Sequence, residues 1–104
     1  MFVEGGTEVK DNTFTLQGLI AWLEKKPDDG IYCYHSPYRC LLHQYFKAAG
    51  VDFKSIGPGY IRYDDSVGRK ALPNGFERVA LGKGDQSDWT FGQALARAKA
   101  WLAA

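Results

Sequence analysis

Leu16, Leu19, Ile20 and Leu23 recur at i, i+3, i+4 and i+7, the spacing of one apolar helical stripe, and predict a helix within FTLQGLIAWLEKKP. Thr15 stands where an N-cap belongs, and Phe14 before it can staple onto Leu19. Pro27 ends this helix in a Pro27-Asp28-Asp29-Gly30 turn. A second stripe of Tyr38, Leu41, Leu42, Tyr45 and Ala49 predicts a helix over 37–49, capped by Ser36 with Pro37 at its first position and closed by Gly50. Phe91, Leu95, Ala98 and Leu102 make a third stripe behind a Thr90/Gln93 capping box. Between the helices, residues 31–35 (IYCYH), 53–56 (FKSI) and 60–63 (YIRY) are runs of β-formers, the last two joined as a hairpin by Gly57-Pro58-Gly59. Residues 64–88 are the least regular; FERVAL within them reads as a short helix or strand, and residues 2–9 leave open whether they join the sheet. The pattern predicts one α+β domain over 1–104, a small three- to four-stranded sheet with three helices packed mainly on one face.

Composition narrows this picture. A chain of 104 residues with 45% hydrophobic and 24% charged side chains is ordinary for a folded domain with one modest core. No apolar run reaches the roughly 20 residues a membrane span needs. MFVEGGTEVKDN lacks the basic and apolar segments of a secretory signal, so the expected compartment is the cytoplasm and the expected state of the cysteines is reduced. The net charge of +1 does not advertise a nucleic-acid binder, although residues 1–52 carry −2 and residues 53–104 carry +3.

The two cysteines and two histidines of the chain, Cys33, His35, Cys40 and His43, fall in one stretch and pose a chemical question. Zinc needs four donors converging at about 2.0–2.3 Å. On a strand, Cys33 and His35 share a face; on the predicted helix, Cys40 and His43 lie with Lys47 opposite the apolar stripe. The two pairs then point apart, so no metal and no cofactor is expected. As a nucleophile, Cys40 near a helix start would be favoured as a thiolate, with His43 one turn away as the fallback base. The segment YRCLLHQYFKAAGVDF is similar to the cysteine-bearing helix of NlpC/P60-type peptidases. That family has Asp before the cysteine and Ser-Gly after it, where this chain has Arg39 and Leu41-Leu42, and its histidine base lies on a later strand, whereas no histidine follows His43. A cysteine hydrolase built on Cys40 is therefore the alternative and not the main reading.

Asp28-Asp29 and Asp64-Asp65 stand in turn contexts, and the glycines of GPGY and LGKGD lack the spacing of a phosphate loop. The aromatic content is more informative. Phe, Trp and Tyr make up 14% of the chain, and the helical stripes account for Phe14, Tyr38, Tyr45 and Phe91. Tyr32, Tyr34, Tyr60, Tyr63 and Trp22 exceed what so small a core is expected to absorb. A sheet covered by helices on one side leaves its other face bare, which makes Tyr32, Tyr34, Tyr60, Arg62 and Tyr63 the candidate contact surface. Tyr60 and Arg62 on one face of YIRY also keep single-stranded nucleic-acid binding as an alternative.

Taken as a unit, FTLQGLIAWLEKKP, YCY, CLLHQYFKAAG and FGQALARAKAWL resemble small accessory proteins of phages and prophages, which carry a "(F/L)xxWLExxP" helix and a "CLxxQYxxAxG" helix. That class includes inhibitors of host defence of the anti-CRISPR kind. The resemblance implies a non-enzymatic protein that binds and occludes a host protein or ribonucleoprotein complex in the host cytoplasm, with no membrane partner and with homodimerisation left open.

Overall fold

A computed structural model describes residues 12–36, 39–57, 59–64, 68–84 and 86–104. In chain order the elements are α1 (Leu16–Leu23), α2 (Leu41–Ala48), β1 (Ser55–Gly57), β2 (Tyr60–Asp64), β3 (Gly68–Ala71), α3 (Phe76–Leu81), a 3-10 turn at Gln86–Asp88, and α4 (Phe91–Ala103). The architecture is α+β: four helices with a three-stranded antiparallel sheet in the order β1-β2-β3.

The capping grammar is realised at both outer helices. The Thr15 hydroxyl accepts from the Gly18 N–H, and the Thr90 hydroxyl accepts from the Gln93 N–H, each satisfying one of the orphan donors at a helix start. After α1 the chain turns through Pro27, where the Gly30 N–H donates to the Pro27 carbonyl at 3.0 Å. Gly50 closes α2 with φ 87, a left-handed conformation that costs glycine little.

Phe46 of α2, fully buried, stands at the middle of an aromatic core. Its ring lies 5.3 Å from Phe14, 5.2 Å from Tyr45, 6.1 Å from Phe76 and 6.2 Å from Phe53, within the range in which aromatic pairs attract beyond simple burial. Leu19 and Leu23 of α1, Leu41 and Leu42 of α2, Ile61 of β2, and Ala94 and Ala98 of α4 complete it. Trp22, expected among the surplus aromatics, is half-buried and meets Tyr45 and Phe91 edge-on at 5.5 and 5.9 Å.

The short helix α3 is held at its C-terminal end by side chains from three distant places. A helix end leaves its last carbonyls without intrahelical partners. Here Arg97 of α4 donates to the Val79 carbonyl at 2.7 Å, the Tyr32 hydroxyl donates to Ala80 at 2.6 Å, and the Trp89 indole N–H donates to Leu81 at 2.9 Å. The Gly82 N–H serves the remaining carbonyl, that of Arg78, at 2.9 Å.

Three elements differ from what the sequence predicts. Residues 31–35 do not form a sheet strand: Ile31 makes an isolated antiparallel bridge to Thr90, Tyr32 N–H donates to Trp89, and Cys33 N–H donates to Arg39. The segment runs irregularly into a turn at 34–35, closed by the Ser36 N–H on the Cys33 carbonyl at 3.2 Å, and Tyr32 is held in the core without a neighbouring strand. The second helix begins at Leu41 rather than 37, with Cys40 as its N-cap, while positions 37 and 38 lie outside the described residues. The strand β3, GRKA, lies within the stretch that looked irregular, and FERVAL resolves as the helix α3, so the helices number four rather than three. Whether residues 2–9 join the sheet falls outside the described residues.

Candidate functional site

The Cys/His stretch is built by the 31–36 segment, which turns at 34–35, and the start of α2. Cys40 has extended backbone (φ −71, ψ 154) and its sulfur accepts the His43 N–H at 3.3 Å. A helical wheel therefore does not apply to it, and instead of facing outward it is only 8% exposed. Burial pushes the thiol pKa up, and the charges of Glu77 and Cys33 add to this, while the amides of His43 and Leu42 only partly offset it. A thiolate is disfavoured, which removes the main footing of a cysteine nucleophile. What His43 gives the sulfur is its backbone N–H. Its ring packs edge-on against Phe53 at 5.1 Å, and burial, then Lys47, lower its pKa. Among the described residues, no three His, Cys, Asp or Glu side chains gather to hold a metal ion.

Beside Cys40 lies a cleft of about 210 Å³ lined by Tyr34, His35, Cys40, Leu42, Ile56, Gly57, Glu77 and Ala80. Glu77, in the first turn of α3, accepts the Tyr34 hydroxyl on one carboxylate oxygen and the Gly59 N–H, at 3.1 Å, on the other. This one side chain joins the 31–36 segment to the turn of the β1–β2 hairpin. Burial, followed by the hydrogen bond and charge of Glu77, raises the Tyr34 pKa, so the phenol stays a proton donor. Tyr34 and His35 each pack against Trp89, at 5.8 and 5.2 Å, and against one another at 5.5 Å.

The hairpin supplies a second surface. Register pairs Tyr60 with Gly57 and Ala71, and Arg62 with Ser55 and Arg69, so these positions share one face of the sheet. Ile61, paired with Ile56 and Lys70, faces the core and is fully buried. Lys70 on that inner side spans the Phe14 ring at 4.4 Å. Arg62 is exposed and Tyr60 half-buried. Tyr63 occupies the place where the β2–β3 register shifts between Arg62 and Asp64.

Of the five expected contact residues, the structure brings Tyr34, through Glu77, to the hairpin that carries Tyr60, Arg62 and Tyr63. Tyr32 is different. At 1% exposure it belongs to the core, and its hydroxyl serves α3. Glu77 is the residue that sequence reading missed: one acid within FERVAL carries no local signal, because its partners lie at positions 34 and 59. Comparison with family models, curated proteins and solved structures finds no match.

Proposed function

We propose that this chain is a non-enzymatic binding protein that occludes a macromolecular partner through the outer face of its hairpin, and that it is a phage-type inhibitor of a host defence complex. The observation that carries the reading is the hairpin face itself. Tyr60 and Arg62 share it, Arg62 is exposed, and the opposite face is spent on the core through Ile61. Tyrosine and arginine are the residue types that anchor protein interfaces, because they bury large area and make directed hydrogen bonds. Support against chemistry comes from Cys40, whose buried sulfur is used to cap α2. The defence-inhibitor part rests on the resemblance of the helices to phage accessory proteins.

The basic positions on and beside the hairpin favour a second reading, a single-stranded nucleic-acid binder. Lys54 and Arg62 are exposed there, and Tyr60 could stack on a base. The test is a pull-down from bacteria expressing their defence systems, repeated with Tyr34→Ala, Tyr60→Ala and Arg62→Ala. Retention of a defence protein by the native chain and its loss in the hairpin variants supports occlusion. Retention unaffected by all three overturns the placement. A nucleic-acid band shift that collapses steeply with salt would favour the second reading.

A further inference from the structure

We propose that the cleft between the 31–36 segment, α2, the β1–β2 hairpin and α3 is a binding site for an organic monocation, an alkylammonium or alkylguanidinium group, seated on Glu77. Leu42, Ile56 and Ala80 line the cleft with apolar surface, and Glu77 and Tyr34 stand at its wall with His35. An amphipathic cation needs both parts: an apolar surface for its alkyl stem and a carboxylate beside aromatic rings for its charged head.

The carboxylate is fixed in place rather than free to swing. Tyr34 holds one oxygen and the Gly59 N–H holds the other, so the rotamer is set from two sides. Each carboxylate oxygen offers two acceptor positions, so these two donors leave further acceptor capacity on the same group. Among the described residues both donors to this carboxylate are neutral, and neither cancels its charge. The field of Glu77 is felt across the cleft, since it helps raise the pKa of Tyr34 on one side and of Cys40 on the other. Anions are therefore disfavoured in this space and a cation favoured. The volume of about 210 Å³ suits a short alkyl chain with its head group and excludes a nucleotide or a sugar chain. This inference holds whether or not the hairpin face engages a partner.

The test is a titration of the folded chain with n-butylguanidinium and n-butylammonium, followed by backbone amide NMR, with n-butanol and butyrate as neutral and anionic controls. The cations should give saturable shifts centred on Tyr34, Gly59 and Glu77, with a dissociation constant of about millimolar for so small a ligand. Glu77→Gln should weaken them about tenfold, the size of one charge-assisted hydrogen bond. Ile56→Phe, which fills the cleft from the strand side and leaves the carboxylate, should weaken them as well, and it keeps the test decisive if Glu77→Gln does not fold. An acetylated Gly-Arg-Gly amide distinguishes the sources. Binding as tight as the free cation assigns the site to a protein's side chain, and weaker binding assigns it to a free small cation. Shifts that do not saturate, equal shifts with butyrate or n-butanol, or undiminished affinity in the folded variants would overturn the proposal.

Discussion

Arg97 and Tyr32, separated by 65 positions, act as one device: the Arg97 guanidinium donates to the Tyr32 hydroxyl oxygen at 2.9 Å while that hydroxyl donates to the Ala80 carbonyl at 2.6 Å. The chain of donors locks α4, the 31–36 segment and the C-terminal end of α3 together. Because the guanidinium polarises the phenol, and the same guanidinium binds Val79, the bonds should reinforce one another. Tyr32→Phe leaves a buried carbonyl unsatisfied and should destabilise the chain by about 1–3 kcal/mol. Urea unfolding of the variant checks this, and Arg97→Met should cost at least as much, because it strips two acceptors.

Burial pushes Tyr32 and Tyr45 from the usual 10 up to about 12. In the unfolded chain both would ionise near their ordinary value, so between these pH values the folded state holds more protons than the unfolded one. Stability is then fully present below about pH 10 and declines progressively toward about pH 12. Urea midpoints measured across that range should fall with pH, and Tyr45→Phe, which also loses the 2.6 Å bond to the Thr13 carbonyl, should flatten the decline.

Gly18 reverses an ordinary rule. Glycine within a helix usually gains about 1 kcal/mol of stability when replaced by alanine. A Cβ at Gly18 would stand 2.0 Å from the Asn12 carbonyl oxygen, a backbone atom that cannot turn aside. Gly18→Ala should therefore destabilise the protein, read as a lower thermal midpoint.

Cys40 should behave as a cap and not as a nucleophile. Cys40→Ser preserves an acceptor for the His43 N–H, whereas Cys40→Ala removes it and should cost about 1 kcal/mol more. In the native protein the Cys40 thiol should react with iodoacetamide more slowly than a free cysteine at neutral pH, measured by peptide mass spectrometry. Labelling faster than free cysteine would revive the thiol enzyme.

The elements that were legible in the sequence are those whose signals are local. Thr15 and Thr90 announce α1 and α4 because an N-cap bonds only three residues ahead, and Gly57-Pro58-Gly59 announces the hairpin because a turn is set by its own residues. The misreadings share a cause. IYCYH has strand composition, yet the partners that decide its role, Ala80, Trp89 and Arg97, are remote in sequence and turn Tyr32 into a core strut. GRKA has no apolar alternation and pairs only because β2 lies beside it. Helical periodicity puts Cys40 inside the helix, whereas it stands one residue before α2 begins, as the N-cap. The outer hairpin face was half legible: alternation along YIRY puts Arg62 opposite Ile61, whereas the link from Tyr34 through Glu77 to Gly59 depends on tertiary folding.

The central claim is that Tyr60 and Arg62 on the outer hairpin face anchor a macromolecular partner. Its most direct test is the affinity of Arg62→Ala for the partner recovered from bacteria, measured beside its thermal midpoint. Truncating a central arginine anchor costs about 2 kcal/mol or more, so affinity should fall roughly thirty-fold. The thermal midpoint separates a lost contact from a lost fold: the variant should still unfold in one cooperative transition well above the temperature of the binding measurement. Undiminished affinity in the folded variant would contradict the account.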